Sequence, residues 1–238
     1  MAFTNSPLVS YTRISPYSGG RKGHNIDTIT IHCSAAQAAV ETLGRLFQTK
    51  AASANYGIGP DGRVGMYVEE RNRSWATSDG ENDRRAVTIE VACENKHPYR
   101  VNDAAYKTLL DLVTDICRRN GIKKLIWSTS KADRVNHRNG CNMTVHRDYE
   151  NKACPGQWLY ERHGQIAAEV NKRLTEDEEM VRWNKIEDVP EGYREMAQRY
   201  IDAGALKGKG NGEIDLSEDM IRVMEIMRRY FENMMEGK

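Results

Sequence analysis

The chain has 238 residues, 39% of them hydrophobic and 29% charged, a balance that suits a soluble globular protein with one good-sized core and a small appendage. No apolar run approaches the ~20 residues that span a bilayer, which excludes an integral membrane protein of the helical kind. The net charge of +1 hides an asymmetry: from Thr175 onward 16 acidic and 10 basic residues give −6, leaving +7 before it. The basic part lacks the Lys/Arg clusters interleaved with aromatics that mark nucleic-acid surfaces, so neither a nucleic acid nor a membrane is expected as partner.

Met1 to Pro7 has no basic region and no apolar region of a secretory leader, which predicts synthesis and first residence in the cytoplasm. Five cysteines in a reducing compartment favour at least one metal ligand over a set of bridges. Asp27 to Cys33 alternates as a strand rich in β-branched residues and ends on His32. A helix is predicted over Val40 to Lys50, with Leu43, Leu46 and Phe47 on one face. Asn55 to Val68 reads as a hairpin around Pro60-Asp61-Gly62, and Ala86 to Val91 as another strand. Asn102 to Asn120 has an N-cap, a helical apolar stripe and Gly121 as stop signal. A short strand is predicted at Lys124 to Trp127, and a closing helix at Gln157 to Leu174. The fold class is therefore α/β, a mixed central sheet flanked by helices, over residues 1–174. The acidic run from Thr175 opens a linker, 175–182. Two helices, Gly192 to Ala203 and Ser217 to Glu232, then form a small helical unit over 183–238. So small a unit is marginal alone, so docking or pairing into a homodimer is expected.

The chemistry concentrates in Val145 to Gly156. His146 and Cys154 stand eight residues apart, with Lys152 just before the thiol and Pro155-Gly156 just after it. Imidazole and thiolate are preferred zinc donors, and a turn-rich spacing of eight implies a loop that returns both to one point. His32, at a strand end, is the best third ligand. Cys33 points to the opposite face of the strand and is expected in the core. Three protein ligands to Zn2+ leave a position for water, as a catalytic zinc requires. Such a site needs a general base and an oxyanion stabiliser. Glu90 is the candidate base, Lys152 the candidate oxyanion partner and Tyr56 a candidate donor. Read alone, Glu90 could be a solvated face residue and Tyr56 a core aromatic.

Ile31-His32-Cys33-Ser34-Ala35, Asn55-Tyr56-Gly57-Ile58 with Asp61-Gly62, Thr88-Ile89-Glu90, and His146-Arg147-Asp148 with Lys152-Ala153-Cys154-Pro155-Gly156 occur in one order. That order resembles the zinc-dependent N-acetylmuramoyl-L-alanine amidases of phage endolysins, which share a fold with peptidoglycan recognition proteins. The resemblance covers roughly Asp27 to Leu174. It implies His32, His146 and Cys154 as zinc ligands, Glu90 and Lys152 as the catalytic pair, and Tyr56 as an active-site tyrosine. It implies cleavage of the bond between N-acetylmuramic acid and the L-alanine of the stem peptide. Peptidoglycan would be the substrate, reached after holin-dependent release from the cell. A non-catalytic peptidoglycan-binding protein and a cytosolic amidase that recycles wall fragments are the competing readings.

One departure is Trp75, which stands where many relatives carry a histidine. It could stack on a sugar or belong to the core. His137 and Cys141, in a segment longer than the family minimum, are expected to shape the substrate cleft rather than bind metal. Ile186 to Pro190, Ala203 to Gly208 and Leu216 to Arg222 resemble part of a surface-layer-homology module. Such modules bind secondary cell-wall polymers. A helical appendage that docks or pairs two chains explains the same residues, with Met220, Val223, Met224 and Met227 as packing surface.

Overall fold

In the computed structural model, residues 3–179, 182–210 and 212–235 are described. The chain divides into two compact units, 1–174 and 175–238. Among the described residues no helix is long and apolar enough to cross a membrane.

The first unit opens with β1 (Val9–Thr12), β2 (Ser18–Gly20), β3 (Thr28–Cys33), α1 (Val40–Thr49), β4 (Tyr56–Ile58) and β5 (Val64–Met66). It continues through β6 (Asn72–Ser74), α2 (Gly80–Arg85), β7 (Ala86–Val91), α3 (Asp103–Asn120), α4 (Lys131–Val135) and β8 (Met143–Thr144). The helix α5 (Gly156–Glu179) closes it. Six strands form one sheet in the order β1-β5-β4-β7-β3-β8, with β4–β5 antiparallel and the other pairs parallel. The expected mixed sheet with flanking helices is present.

Alternation divides this sheet into a dry face and a chemical face. Ile29, Ile31 and Cys33 of β3 and Val87, Ile89 and Val91 of β7 join the main core. Leu109, Val113 and Ile116 of α3 and Leu159, Ile166 and Val170 of α5 pack in that same core. Thr30 and His32, Thr88 and Glu90 therefore point to the other side. Helix α3 begins where predicted because the Asn102 side chain accepts from Ala105 N, and ends where Gly121 turns left-handed at φ 70°. The hairpin of β4 and β5 forms around Pro60-Asp61-Gly62 as expected.

The strand predicted at Lys124 to Trp127 does not form. Leu125 N donates to Asn171 Oδ1 at 2.7 Å, and Asn171 Nδ2 donates to Leu125 O at 2.8 Å. Ile126 N likewise donates to Asn142 Oδ1 at 2.8 Å. Side-chain amides thus satisfy backbone groups that a ladder would have used. The edge strand beside β3 is instead β8, with Ile29 opposite Met143.

The predicted linker, 175–182, begins inside α5, which runs on to Glu179, and Met180 and Val181 lie outside the described residues. The second unit contains β9 (Arg182–Trp183), α6 (Glu191–Asp202), β10 (Leu216–Ser217) and α7 (Glu218–Met235). β9 and β10 pair antiparallel, and Val189, Ala197, Leu216 and Ile221 form a separate small core.

Candidate metal centre

Parallel pairing of β3 with β7 sets His32 opposite Glu90. His32 Nδ1 lies 4.0 Å from Glu90 Oε1. The turn after β8 brings in His146, whose ring centroid is 5.1 Å from that of His32. Cys154 Sγ is 3.4 Å from His32 Nδ1. One donor atom each from His32, His146 and Cys154 falls within 4.8 Å of the others.

The loop from His146 to Cys154 closes for identifiable reasons. Arg147 N donates to Cys154 O at 3.2 Å, and the Arg147 guanidinium donates to Ala153 O at 2.7 Å while lying over Tyr160. Gly156 ends the loop at φ +79°, and a Cβ there would sit 2.6 Å from Tyr99 Cβ, so the close return needs glycine. Asp148 accepts two hydrogen bonds from Arg134, each 2.7 Å, and both side chains are 2% exposed. Arg134 also donates to Ser128 O and stacks on Trp127. This buried pair pins the turn that carries His146. Arg134→Ala would strand the Asp148 carboxylate in the interior. We expect a loss of about 3–5 kcal/mol of stability, measured by chemical denaturation.

The donors suit a metal ion. His32 is 1% exposed, and burial, partly opposed by Glu90, pushes it below its ordinary value, so the imidazole is neutral and able to coordinate. Among the described residues, His32 Nε2, His146 Nε2 and Glu90 Oε2 are buried without a hydrogen-bond partner. Buried polar atoms left unpaired are costly, and an ion would pair with one nitrogen of each ring. His146 Nε2 does lie 3.3 Å from Glu150 Oε2, without hydrogen-bond alignment. Two imidazoles and a thiol make a zinc-type donor set. Burial raises the Glu90 carboxyl above the usual range, with His32 and His146 pulling the other way. A carboxyl on the same face as the candidate ligands is placed to act as a proton acceptor.

Lys152 is 55% exposed at the rim, with Nζ 3.6 Å from Glu150 Oε2. A cleft of about 440 Å³ opens there, lined by His97, Arg147, Glu150 and Lys152 among others. Glu150, absent from the sequence-based set, thus touches both a candidate ligand histidine and the candidate lysine.

Tyr56 is not brought into the site. Gly57, not Tyr56, is in register with Glu90, so the tyrosine faces the core. Its hydroxyl donates to Glu70 Oε1 at 2.7 Å and accepts from Ser6 N at 2.9 Å. Burial and the neighbouring Glu70 raise its pKa, which makes it a structural phenol. Cys33 lies in the core as alternation requires, but at the strand end its thiol also meets that of Cys154. This contact, with burial, pushes Cys33 up to about 12. His137 and Cys141 lie beyond the opposite end of β3 from His32. His137 Nδ1 bonds Cys141 O at 3.0 Å, and Cys141 is buried, so neither shapes the cleft. Trp75 is 40% exposed and packs against Tyr17.

Comparison with known proteins adds identity to this geometry. No curated protein sequence matches the chain. Among solved structures, a selenomethionine derivative of AmpD aligns with TM-score 0.51 and 18% identity, covering 70% of this chain and 99% of that one. The endolysin N-acetylmuramoyl-L-alanine amidase LysCS from Clostridium intestinale URNW aligns with TM-score 0.49 and 17% identity, covering 68% and 93%. The first of these likenesses bears on the fold alone. The family model of N-acetylmuramoyl-L-alanine amidases matches residues 22–157, more than half of the chain and a span that contains His32, Glu90, His146, Lys152 and Cys154. The chain is a member of the N-acetylmuramoyl-L-alanine amidase family, an enzyme of peptidoglycan hydrolysis with a candidate His-His-Cys metal site.

Proposed function

We propose that this amidase is zinc-dependent and of the endolysin type, cutting intact cell wall between the lactyl group of N-acetylmuramic acid and L-alanine. The observation that carries the zinc reading is the convergence of His32, His146 and Cys154 donor atoms within 4.8 Å, beside Glu90. Zinc held there would polarise the scissile carbonyl and acidify a water. Glu90, on the same face as His32, accepts the proton of the attacking water and passes it to the leaving L-alanine nitrogen. Lys152, at the rim, places a positive charge where the carbonyl oxygen gains negative charge. Arg147 and the Arg134–Asp148 pair keep His146 and Cys154 facing each other while this happens.

The lytic reading is supported by the second compact unit, 175–238, which has its own small core. We assign it to retention at the wall, through a secondary cell-wall polymer.

Zinc-loaded protein incubated with purified walls is expected to release stem peptides with new L-alanine amino termini. Turnover of soluble muramyl peptides with untouched walls would establish the recycling reading instead. Wall binding without any new termini would contradict catalysis. Lys152→Ala is expected to keep its metal and lose about 100- to 1,000-fold in kcat, as removal of an oxyanion contact does. A near wild-type rate would remove the lysine from this role.

A further inference from the structure

We propose that α7 pairs two copies of this chain, antiparallel, through a charge-free apolar seam centred on Met227. Met220, Val223, Met227, Tyr230 and Met234 repeat at intervals of three, four, three and four, the spacing of a helix–helix seam. All five are 40–61% exposed, and the neighbouring Ile226 and Phe231 are 66% and 53% exposed. The adjoining side of the helix, at Ile221 and Met224, is the part that enters the small core of its own unit. Beyond Met224 no described residue of α7 is buried. A helical end of that length is marginal in water without packing, so the fold itself calls for an occupant.

Charge and area argue for a second copy as that occupant. The arginines of α7 are already neutralised within the helix. Arg222 pairs with Glu218 at 2.6 Å, Arg228 with Glu225 and Glu232 at 2.9 and 2.6 Å, and Arg229 with Glu225 at 2.7 Å. The seam carries no charge and so selects an equally uncharged surface, which another α7 provides. Its pattern is also nearly the same read in either direction from Met227. Methionines stand seven residues away on both sides, and Val223 and Phe231 four residues away. A two-fold axis through Met227 sets Met220 of one copy against Met234 of the other and Val223 against the neighbouring Phe231, while Tyr230 meets the partner helix at the level of Met224. Antiparallel packing also opposes the two helix dipoles favourably. At ~100 Å² for each open side chain, the seven would remove roughly 700 Å² per copy, close to the ~800 Å² a side of a standard interface.

Sedimentation equilibrium on the full chain decides this. Interfaces of this size bind at micromolar strength or better, so at ~50 µM the protein is expected to run at twice its 27.1 kDa mass. The double variant Val223→Glu, Met227→Glu changes two exposed positions. It should be monomeric, with a fall in helicity by circular dichroism no larger than the unpaired end of α7 accounts for, and with unchanged amidase turnover on a soluble muramyl peptide. A monomeric wild type, or a double variant that remains dimeric, would overturn the seam. For the direction of pairing, Met227→Cys should cross-link to itself on mild oxidation and Met220→Cys should not, with the unmodified chain as control. Self-cross-linking of Met220→Cys as efficient as that of Met227→Cys would overturn the antiparallel arrangement.

Discussion

Cys154→Ser is expected to fold normally and to lose its metal. The thiol is the single sulfur donor of the three-residue cluster, and it meets His32 Nδ1 at 3.4 Å. A serine hydroxyl is a hard, rarely ionised donor and does not replace thiolate at zinc. Loss of a mere outer-shell contact weakens metal binding by roughly 10- to 100-fold. Removing one of three protein ligands must cost more than that, so amidase activity should fall below detection after dialysis against a weak chelator. Folding should survive, because Cys154 sits on a loop already held by Arg147, by Gly156 and by the Arg134–Asp148 pair. The check is zinc content by atomic absorption alongside thermal melting. Full occupancy in the variant would remove Cys154 from the ligand set.

Glu90→Gln is the second large effect, and it separates chemistry from metal binding. Glutamine keeps the size and one carbonyl acceptor but cannot take a proton. The carboxylate is 21% exposed, shares its sheet face with His32, and is held above its ordinary value by burial, with His32 and His146 opposing. Loss of a positioned general base costs about 100- to 10,000-fold in kcat. Zinc content should be unchanged, because Glu90 lies outside the three-ligand cluster. A variant that turns over at the wild-type rate would show that another group takes the proton.

Much of this was readable in the residues. The alternation of Thr28 to Cys33 and of Ala86 to Val91 already separated a core face from a chemical face. The loop spacing of His146 and Cys154 announced a metal site. What escaped depends on register and on distant partners. Tyr56 shares its alternation parity with Ile58, a core residue. Only the pairing of Gly57 with Glu90 shows that this parity points away from the site. The Arg134–Asp148 pair and the contacts of Glu150 had no local signature, since their meaning lies in which segments the fold brings together. The false strand at Lys124 to Trp127 looked apolar enough. Its backbone is instead satisfied by Asn142 and Asn171, which no periodicity reveals.

The loop that supplies Lys152 also carries two of the three candidate donors, His146 and Cys154, to a single ion. X-ray absorption at the zinc edge of the purified, zinc-loaded protein measures it directly. The expected spectrum has one zinc per chain with two imidazole nitrogens at ~2.0–2.1 Å and one sulfur at ~2.3 Å, the distances of such ligands. A zinc shell without sulfur, or a protein that retains no zinc, would contradict it.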